Sequence, residues 1–103
     1  MKRPVHSLAA IALLAAAAGT HAQAVDPLQA RSWAASCASC HGTVGQAQPG
    51  MPSLAGQSKD DLVRKMQDYK AGRLPATLMH QLAKGYTDEQ IEAIAAYFAA
   101  QKK

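Results

Sequence analysis

Only two cysteines occur in the 103 residues, and they stand three positions apart with a histidine directly after the second: Cys37-Ala38-Ser39-Cys40-His41. No other feature narrows so far what this chain can fold into. Two thiols at that spacing can reach the two vinyl groups of one porphyrin and form thioethers, while the adjacent His41 is held beneath the iron as an axial ligand. One short segment then fixes three points of a rigid ring, and the motif predicts one covalently attached haem c. Two competing uses of the pair are weaker. A thiol-disulfide redox centre expects a βαβ pattern around Cys-x-x-Cys, and no such pattern is visible. A zinc site needs further ligands, yet no third cysteine exists and His80 is the one other imidazole beyond the N-terminal segment.

That N-terminal segment reads as an address. Lys2 and Arg3 form a positive start, and Leu8 to Gly19 is an apolar run rich in Ala and Leu. At about a dozen residues it is well short of the ~20 needed to span a bilayer, which argues against an uncleaved membrane anchor. Ala22-Gln23-Ala24 has the small-x-small form of a cleavage site. Residues 1–24 are therefore expected to be a secretory signal peptide and residues 25–103 a single domain, periplasmic and without stable membrane insertion. A domain of this size buries a modest core and calls for a staple, which a covalent cofactor can be. Past the signal, nine basic side chains face seven acidic ones. So small an excess, with no basic stripe interleaved with aromatics, gives no support to nucleic-acid binding.

Helical signals recur along this domain, and no alternation of β-branched and aromatic residues suggests a strand. Asp26-Pro27 is an N-cap followed by proline at the first helical position, and Leu28, Ala30, Trp33 and Ala34 carry a helix to Cys37. From His41 to Ser58, glycines, prolines and polar residues predict an irregular loop. Ser58 with Asp61 resembles a capping box for a second helix, in which Leu62, Val63, Met66 and Tyr69 form an apolar stripe and Gly72 is the stop. A brief helix is expected from Thr77 to Lys84. In the last helix Thr87 and Gln90 form a capping box, and Ile91, Ile94, Ala95 and Phe98 share one face. The expected fold is all-α, about four short helices wrapped around one haem. Trp33 and Tyr97 are expected to pack in that core or against the haem.

A haem iron needs a sixth partner or an open site, and this choice separates an electron carrier from a ligand-binding sensor. Met51, Met66, Met79 and His80 are the candidates. Met66 sits on an apolar stripe and is expected to fill core. Met51 lies ten residues from His41, where the loop still passes the proximal side of the haem. Met79 follows Pro75 and a turn, stands far enough along the chain to reach the opposite face, and has a soft thioether that favours ferrous iron. His80 is its rival, with an exposed helix histidine as the plainer reading, and a solvent-occupied site stays open. A ligating histidine usually donates its other ring N–H to a carbonyl. Pro52 supplies the candidate acceptor, although Pro52 equally suits a plain turn before Leu54 and Gly56.

Longer runs carry a resemblance. Cys37 to Thr43, C-A-S-C-H-G-T, and Pro52 to Gln57, P-S-L-A-G-Q, resemble the class I bacterial cytochromes c. Arg73 to Ile91, R-L-P-A-T-L-M-H-Q-L-A-K-G-Y-T-D-E-Q-I, is similar to the cytochrome subunit of flavocytochrome c sulfide dehydrogenase. The resemblance implies thioethers at Cys37 and Cys40, axial ligation by His41 and Met79, and a hydrogen bond from His41 to the Pro52 carbonyl. It also implies a partner, an FAD-containing flavoprotein that oxidises sulfide and hands electrons on one at a time. Many such subunits contain two haem domains, whereas this chain has a single haem motif.

The expected activity is outer-sphere electron transfer by a protein that is not itself an enzyme. Its partner is expected to be the flavoprotein; the alternatives are a free-standing carrier serving other periplasmic redox proteins or a terminal oxidase, and a sensor with an open distal site. Lys59, Arg64, Lys65, Lys70, Arg73 and Lys84 can steer an acidic partner. Asp60, Asp61 and Asp68 are interspersed with them, so a solvated helix face is the preferred reading of these charges.

Overall fold

The structure is a computed structural model and describes residues 24–103. The expected signal segment lies outside the described residues apart from Ala24. Four helices follow in chain order: α1 (Pro27–His41), α2 (Lys59–Lys70), α3 (Met79–Ala83) and α4 (Asp88–Ala99). No strand occurs among the described residues. Nor is any helix among them long and apolar enough to cross a membrane.

Local chemistry accounts for the helix starts. The Asp26 carboxylate accepts from the Leu28 N–H at 2.7 Å ahead of Pro27. At α2 the Ser58 hydroxyl accepts from the Asp61 N–H. At α4 the capping box is complete: Thr87 Oγ1 accepts from the Gln90 N–H at 3.1 Å and Gln90 Oε1 from the Thr87 N–H at 2.9 Å. Two boundaries differ from the sequence expectation. Helix α1 runs one turn beyond Cys37 to His41, because Ala38, Ser39 and Cys40 include no breaker and Gly42, at φ 89°, is the first residue to end it. Helix α3 is shorter than Thr77–Lys84. Its N-cap is Leu78, whose side chain offers no acceptor, and Thr77 with its hydroxyl stands one position outside.

The core forms where α1 and α2 pack against α4. Ala34, Leu62, Ile94, Ala95 and Phe98 are its buried members, bordered by Trp33, Cys37, Leu54, Val63, Tyr86 and Tyr97. Burying a side chain such as Phe98 contributes about 1.5–3 kcal/mol. The expected stripe on α2 divides: Leu62 and Val63 join this cluster, whereas Met66 and Tyr69 are half-buried and lie outside it. Met66 is therefore not the core filler expected. Helix α2 packs against α3 as well as α4.

The long loop from Gly42 to Ser58 lacks secondary structure but is tied down. The Gly45 carbonyl accepts from the Leu54 and Ala55 amides at 2.8 and 3.1 Å, and the Gly56 N–H donates to the Phe98 carbonyl at 2.9 Å. Gly45, at φ +83°, lies so close to Phe98 and Ala55 that a Cβ there would stand 2.7 Å from Phe98 Cδ1 and 2.8 Å from the Ala55 nitrogen. This closeness anchors the loop to α4 and thereby places Pro52.

Candidate functional site

Cys37, Cys40 and His41 occupy the last turn and a half of α1. Neither cysteine is in a disulfide; Cys37 is partly buried at the core border and Cys40 is exposed. Burial pushes the Cys37 thiol above its ordinary range, against smaller opposing effects of the Ser36 hydroxyl and its own backbone. Positions i and i+3 of a helix lie on one side, so both thiols present to one surface.

His41 is the one buried polar residue among the described residues, 7% exposed. Its Nδ1 lies 2.7 Å from the Pro52 carbonyl oxygen. A carbonyl only accepts, so Nδ1 carries the proton and donates, and Nε2 is left with its lone pair. The ring orientation and tautomer are thus set by the loop that Gly45 anchors. Met51 directly precedes Pro52 in this loop and is 43% exposed. Met79 opens α3 and is half-buried. His80, next to it, is also half-buried, and its Nδ1 is buried without a hydrogen-bond partner.

These residues fit a haem. Two unpaired thiols on one helix side, an imidazole with Nδ1 held by a carbonyl and a thioether at the start of a separate helix are the donor types that a porphyrin-held iron takes. A bare ion lacks a cage, since no group of three or more His, Cys, Asp or Glu converges among the described residues. The larger surface groove, lined by Pro27, Ala30, Ala93, Ala96 and Tyr97 among others, contains no thiol, imidazole or thioether.

A protein-family model described as cytochrome C oxidase, cbb3-type, subunit III matches residues 28–98, nearly all of the helical unit. The chain belongs to this cytochrome c family. Among its relatives, the cytochrome subunit of sulfide dehydrogenase from Chlorobaculum tepidum is 44% identical over 63 residues, covering 61% of this chain and 57% of that one. Cytochrome c-554(548) from Halomonas halodenitrificans is 41% identical over 70 residues, covering 64% of this chain and 84% of that protein. The crystal structure of reduced recombinant cytochrome c4 from Pseudomonas stutzeri superposes with a TM-score of 0.66 at 36% identity, over 77% of this chain and 47% of that one. The chain thus spans about half the length of the sulfide dehydrogenase subunit and of the cytochrome c4 it matches. The described residues have the all-α fold of the class I cytochromes c.

Of the six cations read as a solvated helix face, four are in surface ion pairs. Lys59 pairs with Glu92 at 2.9 Å, Arg64 with Asp61 at 2.8 Å, Arg73 with Asp68 at 2.7 Å and Lys70 with Asp88 at 3.5 Å. Surface pairs of this kind contribute little, and they leave Lys65 and Lys84 outside any ion pair among the described residues. Sequence reasoning missed Ser36 and Tyr86, whose hydroxyls are hydrogen-bonded to each other across fifty positions of chain. No local pattern announces that contact.

Proposed function

We propose that residues 25–103, after removal of a signal peptide, carry one haem c bound through thioethers at Cys37 and Cys40, with His41 and Met79 as axial ligands, and relay single electrons in the periplasm. The observation that carries this reading is the His41 Nδ1 to Pro52 carbonyl contact at 2.7 Å beside two unpaired thiols, which leaves Nε2 free to bind iron. When bound, the haem supplies one-electron Fe(III)/Fe(II) chemistry. The chain's own residues do the rest. Cys37 and Cys40 fix the ring's position, and the Pro52 carbonyl orients His41 and raises its basicity. The Met79 thioether, a soft and neutral donor, favours the ferrous form. Held by His41 and Met79, a haem iron would take both its protein ligands from side chains, and little would have to rearrange when its charge changes.

The electron donor in this reading is a flavoprotein that oxidises sulfide, supported by the 44% identity to the sulfide dehydrogenase subunit. The 84% coverage of cytochrome c-554(548) favours a second reading, a free-standing carrier for other periplasmic redox proteins. Optical spectra of the purified protein test the site. A c-type α-band is expected in the reduced form, together with the weak far-red absorption of methionine sulfur on ferric iron, and the latter should vanish in Met79→Ala. An α-band without the sulfur signal, with carbon monoxide binding readily to the ferrous form, would establish an open distal site and overturn the ligand set. Co-purification with an FAD protein separates the two partner readings.

A further inference from the structure

Helix α3, which opens with Met79, has little to hold itself up. It is five residues long, below the length at which a helix is stable by itself, and its N-cap makes no side-chain hydrogen bond. Its place is set by packing against α2, by Ala83, which is fully buried, and by whatever holds the segment that follows. That segment, Gly85-Tyr86-Thr87, turns directly from α3 into α4, with the Gly85 and Tyr86 amides donating back to the Leu82 and Ala83 carbonyls at 3.1 and 3.3 Å. Two other helices converge on Tyr86. From α2, Lys70 Nζ donates to the Tyr86 carbonyl at 2.6 Å. From α1, Ser36 Oγ meets the Tyr86 hydroxyl. Because the Ser36 hydroxyl also donates to the Trp33 carbonyl at 3.2 Å, its single proton is committed, and Tyr86 is the donor in the shared bond.

Ser36 immediately precedes Cys37, and Tyr86 lies seven positions after Met79. The bond therefore joins the helix that bears the thiols to the turn that ends the methionine-bearing helix. We infer that the Ser36–Tyr86 hydrogen bond is a clamp that positions α3, and with it Met79, relative to α1, and so sets how readily an outside ligand displaces the thioether from the iron. The inference rests on the axial role of Met79 proposed above. Ser36 and Tyr86 are positioning residues, since they act through Met79.

Imidazole binding to the ferric holoprotein reads this directly, because imidazole competes with the thioether for the sixth position. Tyr86→Phe and Ser36→Ala should each raise imidazole affinity about ten-fold, equivalent to about 1.4 kcal/mol. The double variant should gain no more than either single one, and Ser36→Thr, which keeps the hydroxyl, should stay at the wild-type affinity. Ile94→Val, a substitution in the core that Tyr86 borders, keeps both hydroxyls of the clamp while lowering thermal stability and should leave the affinity unchanged. Wild-type affinity in both single variants, additive effects in the double variant, or an equal rise in Ile94→Val would each overturn the clamp. Met79→Ala identifies the other failure: if it leaves both the far-red absorption and the imidazole affinity of the wild type intact, Met79 is not the ligand and the clamp falls with it.

Discussion

His41 can act through only one of its ring nitrogens, and the residue that decides which is a proline eleven positions away. Because the Pro52 oxygen can only accept, the proton is confined to Nδ1, and the ring is oriented before any metal chemistry is considered. The acceptor belongs to the backbone, so no side-chain replacement at position 52 removes it; only movement of the loop does. Asp88 shows a similar economy away from the site. Its carboxylate accepts from Gln67 Nε2 at 2.9 Å and faces Lys70 Nζ at 3.5 Å, and the Gln67 hydrogen bond, followed by the Lys70 charge, lowers its pKa. A carboxyl group whose pKa is lower folded than unfolded adds stability above its unfolded value, about 4, and that contribution is lost as pH falls through the folded value. Asp88→Asn is accordingly expected to lower the melting temperature at neutral pH, with the gap to wild type closing on acidification below about pH 4. A gap of constant size across that range, measured by thermal unfolding at several pH values, would show that the charge is immaterial.

At the scale of elements, what was legible in the sequence is what is encoded locally. The caps at Asp26, Ser58 and Thr87 and the buried face of α4 depend on residues within four positions of one another, and each is present in the structure. The extension of α1 to His41 is less legible, because the apolar pattern fades at Cys37 and Gly42, the stop, belongs to a glycine-rich loop. The loop itself was illegible for a different reason: its bonds are long-range, as in Gly56 N–H to the Phe98 carbonyl and Gln46 Nε2 to the Lys102 carbonyl. The same holds for Ser36 and Tyr86, whereas Cys37, Cys40 and His41 are contiguous and stand out in any reading. One position tests whether the loop's anchoring is what the geometry implies. Gly45→Ala must place a Cβ within 3 Å of the Ala55 backbone nitrogen at a left-handed φ, and the two costs together should exceed about 2 kcal/mol. Chemical denaturation measures this. In the holoprotein the variant should also perturb the His41 imidazole resonances, since displacing the loop moves Pro52; a stability loss with those resonances unchanged would separate the loop's packing from its role at the histidine.

For the molecule as a whole, the question is what compensates for so small a core. Nine hydrophobic residues of the described chain are buried, five of them alanine, and alanine contributes little apolar area per residue. Several large apolar side chains are instead exposed: Leu78 at 62%, Leu82 at 52% and Met51 at 43%. Helices α1, α2 and α4 begin with side-chain caps, but a cap supplies only about 1 kcal/mol, and the surface ion pairs add less. A domain of this size with an alanine-rich core sits where metals, disulfides or covalent cofactors commonly provide the remaining stability. The two thiols form no disulfide with each other, so in the proposed protein the covalent haem is that support, and its attachment should be a condition of folding and not an addition to a finished fold. The Cys37→Ala, Cys40→Ala double variant isolates this, because it removes both thioethers while leaving His41, Pro52, Met79 and every helix cap in place. It is expected to accumulate poorly on export and to lose most of its helical circular dichroism, whereas Cys40→Ala alone, with one thioether remaining, should retain an intermediate yield. Normal yield and full helicity in a haem-free double variant would mean that the four helices close on their own.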